Sequence, residues 1–97
     1  MDTEQQRRSL RLLEHHLLAY LLRCARVQAD LDLTEAASRW GQTRERLEAV
    51  EAGTDPPDWW DVRSLLAVYG LSFPAFSDEY DRRLAVAGTP LPNLSLQ

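Results

Sequence analysis

The chain has 97 residues, enough for one small helical core and too few for a second, and it leaves no room for a large enclosed active site. Fifteen acids against eleven bases give a formal net charge of −4, so generic attraction to a phosphate backbone is weak, and every one of the bases is an arginine. A single cysteine, Cys24, excludes an intrachain disulfide and a zinc site built on paired cysteines.

The opening stretch MDTEQQRRS is polar, the opposite of a secretory leader, and no apolar run approaches the roughly 20 residues of a bilayer span. The expectation is a cytoplasmic protein without a membrane partner. From Thr3 to Ala29 neither Gly nor Pro occurs, which predicts one long first helix of about 40 Å, with a break near Ser9 as the alternative. Along it Leu10, Leu13, Leu17, Leu21 and Cys24 form one apolar stripe, and Leu18, Leu22, Ala25 and Ala29 form another beside it. That arc is wider than one core contact needs, so the helix is expected to pack on a further element or on a second copy of the chain. His15 and His16 are adjacent and point about 100° apart, which excludes the chelating pair that an i,i+4 spacing would give.

From Asp30 to Gly53 the sequence reads DLDLTEAASRWGQTRERLEAVEAG. Leu31, Ala36, Ala37 and Trp40 recur near helical spacing, Asp32 or Thr34 can cap the start, and Gly41 supplies the left-handed exit. Thr43 caps a third helix whose inner edge is Leu47 and Val50, and Gly53 stops it. This is a helix, a tight turn and a second helix. The loop Thr54-Asp55-Pro56-Pro57 then sets the start of a fourth helix, roughly Asp58 to Tyr69, with Val62, Leu65, Leu66 and Tyr69 inward and Gly70 at its end. Trp59 and Trp60 are adjacent, so one can enter the core while the other stays at least partly outside. Ser72 can cap a fifth helix carrying Phe76, Tyr80, Leu84 and Ala87. The prolines of Thr89-Pro90-Leu91-Pro92-Asn93 cannot continue it, and residues 89–97 read as a flexible tail.

Between Tyr20 and Phe76 the chain resembles the Cro and lambda-repressor-like, or XRE-type, helix-turn-helix family. The points of agreement are Arg26 in the first helix, the small Ala37 of the second, the turn Gly41, the closing Glu51-Ala52-Gly53, Pro57 opening the fourth helix, and Tyr69-Gly70-Leu71-Ser72. The resemblance implies an all-α, five-helix lambda-repressor-like DNA-binding domain, here with an N-terminally extended first helix. Residues 1–19 form the extension, a candidate dimer or packing element, and residues 20–88 form the domain. It implies that Arg26 and Glu51 pair as structure beside Gly41 and Gly53, and that Trp59, by family register, is the tryptophan in the core.

The resemblance also places the third helix in the major groove of double-stranded DNA, with Thr43, Arg44, Glu45, Arg46, Glu48 and Ala49 as reading positions. Thr34 and Arg39 join them from the second helix. Arg44 can read guanine, Arg46 can hold phosphate and Glu45 can accept from a cytosine amino group. The alternative for the same residues is a solvated face of i,i+4 ion pairs such as Arg44 with Glu48. Departures are Leu33 and Gln42, where the family often has a phosphate-touching glutamine and an apolar turn residue, and Asp55 in a loop that is often basic. From Tyr20 to Gly53 five arginines face six acids.

No Gly-rich phosphate loop and no nucleophile with a placed base occurs, so neither an enzyme nor a cofactor is expected. The leading function is a sequence-specific regulator of the XRE/Cro type acting as a homodimer, with the first and fifth helices as dimer surfaces. The alternative is an acidic helix-turn-helix module that binds a protein partner, with Trp60, Phe76 and Tyr80 as interface candidates.

Overall fold

The computed structural model describes residues 3–88 as five helices: α1 (Thr3–Gln28), α2 (Leu33–Trp40), α3 (Arg44–Ala52), α4 (Trp59–Tyr69) and α5 (Phe73–Gly88). The long first helix is unbroken at Ser9. The region read as a tail, 89–97, lies outside the described residues, as do the side chains of Leu10 and Ala87.

Helix α1 crosses α3, α4 and α5, while α2 packs on α3 and α4. Leu22, Leu47, Val50, Leu65 and Leu66 form the fully enclosed centre, ringed by Leu21, Ala25, Ala36, Ala37, Val62, Tyr69 and Phe76. The inner rows of the four shorter helices recur at three- and four-residue spacing, so each buries one stripe against α1 or a neighbour. Ala19 is also buried, outside both stripes predicted for α1. It and His16 face the end of α3, for a Cβ on Gly53 would stand 3.7 Å from a His16 ring carbon and 3.9 Å from Ala19 Cβ.

Local chemistry fixes where each helix stops. Helix α1 ends with Asp30 in the left-handed region, φ 62°, and the Leu31 N–H reaching back to the Arg26 carbonyl at 3.3 Å. Aspartate is among the few residues that visit this region. Asp32, not Thr34, caps α2: its carboxylate accepts from the Glu35 N–H at 2.7 Å. Gly41, φ 83°, closes α2 with its own N–H on the Ala37 carbonyl at 2.9 Å and Gln42 N–H on the same oxygen at 3.0 Å.

Three expectations need correction. Pro57 does not open α4; Asp58 is its cap, accepting from the Asp61 N–H at 2.8 Å while the Asp61 carboxylate accepts from the Asp58 N–H at 3.0 Å. Trp59 is not in the core but 60% exposed, because Val62, one turn further in, takes the inner place and Trp59 stands on the first turn of the helix. Its ring meets Phe73 edge-on at a centroid distance of 4.3 Å. Trp60 is 74% exposed, so both tryptophans face out. Phe76, an interface candidate from sequence, is only 8% exposed and belongs to the core cluster, since its position on α5 turns it inward toward α1 and α4. Tyr80, four residues on, packs against the same cluster while half-buried.

Candidate nucleic-acid interface

The α2–turn–α3 unit is anchored from below and open above. Leu47 and Val50 are fully buried on one side of α3, which leaves Arg44, Glu45 and Glu48 on the opposite, solvent-facing side. Thr43 spends its hydroxyl on the cap, accepting from the Arg46 N–H at 3.0 Å. At the far end the Ala49 carbonyl accepts from the Thr54 N–H at 3.0 Å, the Asp55 N–H at 3.2 Å and the Thr54 hydroxyl at 3.2 Å. Ala49 thus ties the loop after α3 to the helix.

Arg26 sets the tilt of this unit on α1. Its guanidinium holds Glu51 through two nitrogens and donates from Nη1 to the Leu31 carbonyl at 2.8 Å. The hydrogen bond to Glu51, with the carboxylate's charge, outweighs burial and raises the Arg26 pKa further. The pair joins the helix before the turn unit to the last turn of α3.

The arginines at the outer surface are all engaged within the chain. Arg44 Nε donates to Glu48 Oε2 at 3.2 Å and its Nη1 donates to Thr34 Oγ1 at 3.2 Å, bridging α3 to α2. Arg39 Nε donates to Glu35 Oε2 at 2.9 Å. Arg46 is the most enclosed, with its side chain 28% exposed. Its Nη2 donates to Asp61 Oδ2 at 3.0 Å, its Nε lies 2.8 Å from Asp55 Oδ2 without hydrogen-bond alignment, and its guanidinium carbon sits 5.4 Å from the Trp40 ring centroid. Trp40 in turn donates from Nε1 to Ser64 Oγ at 2.9 Å. Arg46 therefore connects α3, the following loop, α2 and the α4 cap. Glu45 has no ion-pair partner among the described residues.

Asp61 illustrates the local electrostatics. Burial pushes its carboxyl up, but the Asp58 N–H and the Arg46 guanidinium more than compensate and hold it below the usual carboxylate range. Sequence reasoning missed Asp61 and Trp40 as partners of Arg46. The Asp58-x-x-Asp61 spacing ahead of an apolar run was a legible capping signal for the first of them. Nothing along the sequence points to the second.

A groove of about 330 Å³ lies between α1, α4 and α5, lined chiefly by Leu18, Trp59, Val62, Phe73, Phe76 and Tyr80. Among the described residues no cluster of His, Cys, Asp and Glu is arranged to hold a metal, and no helix is long and apolar enough to cross a membrane.

Residues 17–75 match the family model of a helix-turn-helix domain, a span that runs from the middle of α1 to the first turn of α5. No curated protein and no solved structure matches the chain.

Proposed function

The chain belongs to the helix-turn-helix domain family, within the Cro/C1-type (XRE) clan, and from that premise we propose that it is a non-enzymatic transcriptional regulator that reads a specific duplex DNA sequence as a homodimer. The observation that carries the reading is the two-sidedness of α3: Leu47 and Val50 are enclosed, while Arg44, Glu45 and Glu48 stand outward at the end of the helix that a major groove receives. Arg44 is the guanine reader, able to present its planar fork to O6 and N7, and Glu45 and Glu48 accept from cytosine amino groups. Thr43 and Ala49 border the same face, and Thr34 and Arg39 approach the phosphates from α2. Arg46, held by two carboxylates and a tryptophan, shapes this surface rather than gripping a phosphate.

Dimerisation places two such helices about 34–36 Å apart along the duplex. The apolar side chains exposed on α1 and α5, Leu12, Tyr20 and Val86, support those helices as the contact surface. A selection from a random duplex pool, followed by titration with competitor at several salt concentrations, tests the reading. A recovered consensus whose affinity falls in Arg44→Ala supports it; no binding even at low salt overturns it.

A second reading, a protein-interaction module that keeps the scaffold without binding DNA, is favoured by the aromatic groove and by Trp60, which is exposed beside it. A failed DNA titration, together with a defined protein ligand whose binding is lost in Trp60→Ala, would select it.

A further inference from the structure

Each arginine around the candidate DNA surface already has an anionic partner supplied by the chain: Glu35 for Arg39, Glu48 for Arg44, and Asp55 with Asp61 for Arg46. A phosphate arriving at Arg44 replaces one anion by another and leaves the Glu48 carboxylate facing the backbone charge. A phosphate at Arg46 meets Asp55, whose side chain is 47% exposed. Random DNA therefore gains little from either arginine, because the attraction and the new repulsion act at the same short range. A G·C step is different: the guanine edge takes the Arg44 fork, and the cytosine amino group gives the released Glu48 a donor. That outcome satisfies both halves of the broken pair, whereas a phosphate contact satisfies one.

We propose that Glu48 and Asp55 are specificity-determining residues, occupying Arg44 and Arg46 in the free protein so that random duplex is rejected while a duplex with donors and acceptors in the right places is accepted. The assignment rests on the DNA-binding reading of the same surface. Two features separate the acids. Glu48 lies on α3 one turn from Arg44 and both are about half exposed, so the pair opens readily; Asp55 lies in the loop and adds a fixed negative charge beside an arginine that Asp61 still holds. Glu48 acts on base choice and Asp55 on backbone approach.

The test compares wild-type protein with Glu48→Gln/Asp55→Asn, and with Asp78→Asn/Glu79→Gln as a control that removes the same formal charge from α5. The probes are a labelled duplex of random sequence and the duplex recovered by selection, each titrated between about 50 and 200 mM salt. In the first variant, affinity for random duplex rises about tenfold at low salt and the salt slope steepens by about 0.9 as Arg44 is released to phosphate, while Arg46 stays with Asp61. Affinity for the selected duplex rises less, so the ratio between the two falls. Equal behaviour of the two double variants overturns the proposal. Thermal melts report folding, and Glu48→Gln alone, on an exposed pair, carries the comparison if the double variant does not fold. Wild-type binding that depends on Arg44 but shows no shift in selectivity defeats this inference alone, whereas absence of any duplex binding by wild type defeats the DNA reading with it.

Discussion

Arg26 Nε donates to Glu51 Oε2 at 2.7 Å while Nη2 donates to Oε1 at 3.1 Å, a bidentate clasp between α1 and α3 with only 11% and 7% of the two side chains exposed. The clasp lies where the turn unit could otherwise rock on the long helix, so it governs how far α3 stands out from the body. Its net contribution is small, because two charges lose their hydration to form it, but a single deletion strands the other charge.

Glu51→Ala leaves the Arg26 guanidinium enclosed with the Leu31 carbonyl as its one acceptor among the described residues. The expected cost is about 3–5 kcal/mol, which for a domain of this size lowers Tm by more than about 10 °C. Thermal denaturation followed by circular dichroism measures it, and an unchanged midpoint would show that the pair does not hold the fold.

Tyr69 lies close enough to that clasp to feel both charges. Burial pushes its hydroxyl well above the ordinary tyrosine range, the Glu51 carboxylate adds to the shift and Arg26 opposes it. The hydroxyl oxygen is enclosed and has no hydrogen-bond partner among the described residues. Replacing it removes a desolvated polar group without opening a hole, so Tyr69→Phe should raise stability by about 1 kcal/mol, read from urea denaturation. A loss of comparable size would reveal a hydrogen bond that this hydroxyl makes in solution.

Asp61 gives a pH signature. Its folded-state pKa is depressed, so its contribution is present above the unfolded value of about 3.9 and is lost as pH falls through the folded value. Wild type should therefore exceed Asp61→Asn in stability by a constant margin from pH 7 to about pH 5, and the margin should close below about pH 4. A gap that instead widened on acidification would contradict the Arg46–Asp61 attraction.

Much of this architecture was legible because it is written in local rules. Gly41, Gly53 and Gly70 each sit where a left-handed exit is required, and Thr43 and Ser72 cap the helices they precede, Ser72 Oγ accepting from the Ala75 N–H at 3.1 Å. The Arg26–Glu51 pair came from the family resemblance, since a separation of 25 residues carries no periodic signal. Trp59 was misplaced for a related reason. Register puts it on the inner row of α4, but a first-turn residue has core beneath it only if neighbouring helices reach that far, which is a tertiary fact. Arg46 was legible as a cation on α3 and illegible as a hub, because Trp40, Asp55 and Asp61 converge on it from three separate segments.

Arg44 and Arg46, two residues apart on one helix, should separate stability from recognition. Arg44 pairs with Glu48 at the surface, where such a contact contributes little, so Arg44→Ala should leave Tm within about 4 °C while weakening duplex binding. Arg46→Ala removes the partner of a partly enclosed Asp61 and uncovers one face of Trp40, so it should destabilise the domain measurably before any DNA is added. Parallel melts and titrations check both. If Arg44→Ala proved the more destabilising of the two, the ion pairs at the outer face would be supporting the fold, and the case for α3 as a surface free to enter a groove would fail.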